Sequence, residues 1–343
     1  MRRLLIFTAG LGLILTVAII AYEGFGAVTQ AFAAVGFGLI VIVLLRGVQI
    51  AGAGLGWWII FPPPQKKNLL RVCLWVRFIR EGINNLLPVA QVGGEIIGVR
   101  LMMLFGIAGA LAGATLLVDI LMQVVTQFLF TILGIGVLAM GGANNALVWS
   151  MVVGTAITGV ALLGFFVAQR FGGVKIIDRG LMKLAEKLGW SSLADLANLH
   201  DNLVRIYADV PRLAVAMLVH SIVWFVGALE VLVGLRLMGY PISYTDALVI
   251  ESLGQAVRAA AFLVPGALGV QEAGFIAVCA VYGIPAAAAL ALSLVKRVPE
   301  IILGIPFLFA WHAHEANALI RRGPAQLIER FPAKWFALEQ PRG

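Results

Sequence analysis

Glutamate, arginine and lysine side chains stand inside or beside stretches of this chain that are otherwise apolar. They are Arg80 and Glu81, Glu95, Glu230, Glu251 and Arg258, Glu272, and the run Lys296, Arg297 and Glu300. An ionisable group at membrane depth is costly, so it faces a bundle interior or a watery cavity and marks a pathway or relay. Two chemistries fit these residue types. Arginines could hold an anionic headgroup while glutamates orient them, or a glutamate in a low-dielectric cavity could carry a proton. The plain alternative is that the charges pair among themselves and lock the helices together. Lys296 with Glu300 and Arg297 with Glu300 have the i,i+4 and i,i+3 spacings of pairs on one helix face. Asn84 and Asn85 could bind a headgroup or satisfy backbone groups at the adjacent break. The expected pathway residues are Glu95, Glu272, Arg258, Arg297, Lys296, Arg80, Glu251, Asn84 and Asn85.

Glu95 and Glu272 each close a phrase that occurs twice. Leu87-Pro88-Val89-Ala90-Gln91-Val92-Gly93-Gly94-Glu95 is echoed by Val264-Pro265-Gly266-Ala267-Leu268-Gly269-Val270-Gln271-Glu272. Each copy has an apolar residue, a proline, an alanine two later, glycine, and a glutamate seven after the proline. Proline removes a backbone donor and glycine adds conformational freedom, so each phrase should break a helix. The expected breakers are Pro88, Gly93, Gly94, Pro265, Gly266 and Gly269. Broken helices in corresponding halves, each with a carboxylate, point to a transporter-like site.

Other chemistries lack their residues. His312, His314 and Glu315 form an H-x-H-E string, but i and i+2 on a helix point to nearly opposite faces, so no metal site is expected. Ser221 beside His220 has no base-and-orienter arrangement, and there is no G-x-S-x-G, so nucleophilic catalysis has no support. Cys73 and Cys279 sit in apolar context without a CxxC partner and read as packing residues. No cofactor motif is present; none is expected.

The elements that position these groups follow from composition. Of 343 residues, 61% are hydrophobic and 12% charged, and the mean hydropathy is +1.00; soluble domains carry about 25% charged residues. The net charge of +8 reads as cytoplasmic loop bias and contact with anionic headgroups, not nucleic-acid binding. Helical spans are expected at 4–22, 32–56, 99–118, 120–140, 146–168, 213–237, 247–263 and 286–311, with broken elements at about 70–94 and 266–282. Asp119 falls at a turn between two of these spans, where it should be solvated. The fold expected is all-α: a polytopic integral membrane helical bundle of about eight full spans plus two broken helices in an internal repeat. Residues 1–320 form one transmembrane domain and 321–343 a cytoplasmic tail. The hydrophilic stretch 169–212, rich in Lys and Arg, reads as a cytoplasmic amphipathic helical insertion. Both termini are then cytoplasmic. Re-entrant broken elements would put 169–212 outside, so the charge rule favours one crossing by each and about ten crossings in all.

The phrases Arg80-Glu81-Gly82-Ile83-Asn84-Asn85-Leu86-Leu87-Pro88 through Gly94-Glu95, Glu251-Ser252-Leu253-Gly254-Gln255-Ala256-Val257-Arg258 through Pro265 and Glu272, and Leu292-Ser293-Leu294-Val295-Lys296-Arg297 carry a resemblance. They resemble the flippase-like membrane region of the lysylphosphatidylglycerol synthase superfamily, and within it the hopanoid-biosynthesis-associated membrane protein group. The synthases append a soluble aminoacyl-transfer domain, whereas this sequence stops soon after its last span, so the resemblance does not imply aminoacyl transfer. It implies a lipid transporter of the bacterial inner membrane, linked to hopanoid biosynthesis or transport. Its partner would be a membrane lipid, either a hopanoid or an anionic phospholipid, and a homodimer is allowed. Two rivals remain: a membrane-embedded enzyme using Glu95 and Glu272 as general acid and base on a lipid headgroup, and a non-catalytic scaffold of the lipid pathway.

Overall fold

The structure, a computed structural model, describes residues 25–64, 67–87, 93–141, 193–261 and 267–328, with single positions at 149, 153, 159, 160, 164 and 264. The expected span at 4–22, most of that at 146–168, the 169–192 part of the insertion, and Pro88, Pro265 and Gly266 lie outside the described residues. Among those described, regular structure is helical throughout. The helices are α1 (Phe25–Val35), α2 (Gly38–Ile60), α3 (Leu69–Leu86), α4 (Gly93–Leu104), α5 (Gly109–Met140), α6 (Leu193–Ala208), α7 (Val210–Leu237), α8 (Tyr244–Ala260), α9 (Val270–Ala280) and α10 (Ala286–Ile328).

Three of them, α2, α5 and α7, are long and apolar enough to cross a bilayer. Their burial runs opposite to that of a soluble helix. On α2 the stripe Ile40, Leu44 and Val48 is exposed while Gln49 on another face is buried. On α7 Leu218, Ile222, Phe225 and Leu229 point outward while His220 and Glu230 are buried. Apolar residues out and ionisable residues in is the arrangement that lipid imposes.

Local signals set the helix boundaries. Ser243 and Asp246 form a reciprocal capping box at the start of α8: the Asp246 N–H donates to Ser243 Oγ at 3.1 Å and the Ser243 N–H to Asp246 Oδ2 at 2.9 Å. Asp209 caps α7, accepting from the Arg212 N–H at 3.3 Å. α3 stops at Leu86, Leu87 is extended, and α4 starts at Gly93. α8 stops at Ala260 and α9 starts at Val270, after Ala267 at φ +49° and Gly269 at φ +75°. Left-handed backbone at Gly269 costs little because it has no Cβ.

One expectation is corrected here. The chain does not turn at Asp119: α5 runs unbroken from Gly109 to Met140, and Asp119 is fully buried within it. The carboxylate stays inside because two arginines of α3 and a histidine of α7 reach it, as described below.

The repeat extends well beyond the two phrases. The first five helices and the second five follow the same order, and exchanging the two sets maps the packing onto itself. α2 lies along α7. The pairs α3·α10 and α8·α5 exchange, as do α5·α7 with α10·α2 and α6·α5 with α1·α10. Each set also encloses an apolar core. Trp57, Ile79, Ile83, Leu101 and Met102 fill the first, and Val231, Val249, Leu253, Phe275 and Leu292 the second. Helices cross closely where small residues meet. A Cβ on Gly82 would come within 2.9 Å of the Gly304 carbonyl oxygen, so α3 and α10 touch backbone to backbone there.

Candidate functional site

Between the two sets lies a cavity of about 930 Å³, lined from α2, α3, α4, α5, α7, α8 and α9. Arg46, Arg77, Glu81, Glu95 and Arg258 contribute charges to its wall, and Ile50, Val124, Phe128, Val223 and Leu253 contribute apolar surface. That size and mixed lining are those of a pocket for an amphiphile-sized ligand.

In the first set the charges converge on Asp119. Arg80 Nη1 reaches Asp119 Oδ2 at 3.1 Å and Arg77 Nη1 reaches it at 3.6 Å. His220 Nε2 lies 3.2 Å from Asp119 Oδ1, and a proton on that nitrogen makes this a hydrogen bond. Gln123 Nε2 donates to Asp119 Oδ2 at 2.8 Å. Arg80 also pairs with Glu95 across the first break and lies over the Trp57 ring, 4.7 Å from its centroid. Asn84 joins the two sides of that break, donating to Glu95 Oε1 at 3.2 Å and accepting from the Gly94 N–H at 2.8 Å. It therefore satisfies a backbone donor on the far side of the break.

In the second set they converge on Lys296. Its Nζ lies 2.8 Å from Glu230 and 2.9 Å from Glu251. Gln49 donates to Glu230 at 2.6 Å and Gln255 to Glu251 at 2.8 Å. Glu272 accepts from Arg297 Nε at 2.7 Å and from its own N-cap Gly269 N–H at 2.7 Å. Glu300, whose spacing pointed to Lys296 and Arg297, also takes cations from other helices. Arg258 binds it at 2.7 Å and Arg46 at 3.5 Å, because α8 and α2 bring guanidinium groups to a face that the neighbouring side chains leave. The sets are joined by Arg258 donating to Asn85 Oδ1 at 2.8 Å, while Arg46 bonds Glu81 at 3.0 Å.

The spacing from Pro88 to Pro265 equals that from Gly109 to Ala286, and the same step carries Glu95 onto Glu272. It also carries Asp119 onto Lys296 and Glu81 onto Arg258. The repeat thus conserves position while inverting charge: one hub is an anion ringed by cations, the other a cation ringed by anions. Glycines make room for these side chains. A Cβ on Gly98 would meet Arg80 Cδ at 2.8 Å, one on Gly56 would meet His220 Nε2 at 2.6 Å, and one on Gly227 would meet Glu251 Oε1 at 3.0 Å.

Of the expected pathway residues, Glu95, Asn84, Asn85 and Arg258 line the cavity. Arg80, Glu251, Glu272, Lys296 and Arg297 do not; Arg80 and Glu251 bond to lining residues from behind the wall, Lys296 pairs with Glu251, and Glu272 pairs with Arg297. Gly93 and Gly94 lie in the first turn of α4, and Gly269 caps α9. The residues missed are Arg46, Gln49, Arg77, Gln123 and Gln127, all of which line the cavity. Their signal was present: Asp119, Gln123 and Gln127 fall four apart, as does a polar stripe along one face of an apolar helix. Among the described residues no three His, Cys, Asp or Glu side chains are grouped to hold a metal ion.

The family model for the lysylphosphatidylglycerol synthase TM region matches residues 5–306. No curated protein matches the chain, and neither does any solved structure. A match over that share of the sequence places the chain in the family: it belongs to the lysylphosphatidylglycerol synthase transmembrane-region family and is a multi-pass helical membrane protein of the kind associated with lipid modification or transport.

Proposed function

From that membership we propose that the chain moves a lipid between the leaflets of a bacterial inner membrane, with both termini cytoplasmic, and that the lipid is a hopanoid or is handled alongside hopanoids. The observation that carries this reading is the 930 Å³ cavity, polar and apolar at once, set between two repeated sets of helices beside their breaks. A headgroup needs hydrogen-bonding groups in place of the water it leaves, and its chains need apolar wall. Both occur on this one surface.

The rival enzyme reading asks Glu95 and Glu272 to act together as acid and base. Glu95 lines the cavity, but Glu272 is fully buried and tied to Arg297, Ser293 and its own N-cap. A general acid–base pair must reach one substrate, which favours transport. The test is reconstitution of the full chain in liposomes carrying acyl-labelled fluorescent lipids, with dithionite bleaching the outer leaflet. Protein-dependent loss of the protected inner pool supports transport. Bleaching that stops at the outer leaflet for every lipid tried, with folded protein present, refutes it.

A further inference from the structure

Resting on the reading that this cavity accepts a lipid, we propose that its headgroup is uncharged and polyhydroxylated, such as a sugar or polyol, and neither an anionic phosphate diester nor an ammonium. Every charged side chain on the cavity wall is already matched. Arg46 and Arg77 hold Glu81, Arg80 holds Glu95, and Arg258 holds Glu300. Among the described residues of the interior, six basic side chains face seven carboxylates, and His220 stands beside Asp119. The charge-inverted repeat makes this a balanced interior and not a cationic receptor. Arg46 Nε and Arg77 Nε keep an unshared N–H, but both guanidinium charges are already paired with Glu81, so a phosphate bound there would bring an unmatched negative charge into a dry site. Among the described residues, an ammonium would find no carboxylate on the wall free of a cation.

Among the described residues the wall still offers two guanidinium N–H donors whose charges are already paired, together with neutral amides. Six carboxamides line it: Gln49, Gln123, Gln127, Gln255, Asn84 and Asn85. Most of them spend their hydrogen bonds on the charges. Gln127 and Gln255 differ. The Gln127 amide donates to the Gln255 backbone carbonyl at 2.9 Å, and the Gln255 amide to Glu251 at 2.8 Å. Among the described residues the Oε1 atoms of both are left as open acceptors. A ligand that meets both these open acceptors and the unshared guanidinium N–H groups must donate and accept at once, and hydroxyl groups do both without adding charge. Trp224 and Phe128 add aromatic surface to the same wall, suited to the C–H face of a sugar or polyol.

The test follows acyl-matched fluorescent glucosyldiacylglycerol, phosphatidylglycerol and lysylphosphatidylglycerol in the dithionite assay, with binding of each measured separately by native mass spectrometry. Glucosyldiacylglycerol should cross and bind best. The Gln127→Ala/Gln255→Ala variant should lose roughly tenfold for that lipid, the worth of two neutral hydrogen bonds, while eluting as wild type. Faster crossing by either charged lipid overturns the headgroup inference and leaves transport standing. If no lipid crosses but glucosyldiacylglycerol binds selectively and the variant loses it, the transport reading fails and the headgroup inference holds. Absence of selective binding overturns the inference outright.

Discussion

Removing the cation at the centre of the second set should unfold the protein more readily without touching the cavity wall. In Lys296→Met the side chain keeps its length and loses its charge. Lys296 is 5% exposed in its side chain and bridges Glu230 and Glu251, each 1% exposed. Breaking a buried pair costs about 3–5 kcal/mol because the surviving charge has no solvent. Here two carboxylates survive, each with a single amide donor, from Gln49 and from Gln255. At about 2–4 °C per kcal/mol for domains of 150–250 residues, the melting temperature should fall by about 6 °C or more. Cys73 and Cys279 are both buried, so a thiol-reactive fluorogenic dye reports unfolding directly in detergent. The triple variant Lys296→Met/Glu230→Gln/Glu251→Gln strands no charge and should recover at least half of the loss. A single variant melting within about 2 °C of wild type, or a triple variant melting below the single one, would show that this triad does not hold the bundle.

Glu95→Gln should abolish lipid translocation while leaving the protein folded, because Arg80 keeps Asp119 as a partner; unchanged translocation by folded protein would remove Glu95 from the pathway. Gly134→Ala and Gly136→Ala, on the same helix, should act in opposite directions in the dye assay. A Cβ at Gly134 meets Ser252 Oγ at 1.8 Å, and overpacking of that kind costs about 1–3 kcal/mol. At Gly136 nothing lies within 4 Å, and alanine should stabilise by about 0.5–1 kcal/mol. Equal shifts of one sign would refute the α5·α8 packing. Reporter fusions within 169–212 should read cytoplasmic; periplasmic readings would overturn the orientation and the count of crossings.

What could be read from the sequence and what could not divide along a physical line. Glu95, Glu272 and the breaks beside them were legible because proline, glycine and a carboxylate in apolar sequence each carry a local cost. The repeat was legible for the same reason. Partner choice was not. Lys296 and Glu300 have the spacing of a helical pair, yet each bonds to other helices, and local spacing cannot rank a distant guanidinium against a near ammonium. Asp119 misled because a lone acid in an apolar run looks like a turn. Its burial depends on Arg80, Arg77 and His220 arriving from α3 and α7, which no window around residue 119 contains. The charge inversion between hubs was hidden because similarity searches by eye reward matching residues, and here the equivalent positions carry opposite signs.

The separation of each buried charge from its counterpart along the chain also bears on how the protein is made. Glu230 and Glu251 leave the ribosome before Lys296, and Arg80 before Glu95 and Asp119. A charged residue at the centre of a helix costs about 2.5–3.5 kcal/mol on insertion, so α7, apolar enough to cross alone, and α8 carry their glutamates without the lysine until α10 arrives. Synthesis of the last long helix is therefore the step that pairs the buried charges of the second set, and a nascent chain arrested before it should remain open to quality-control proteases.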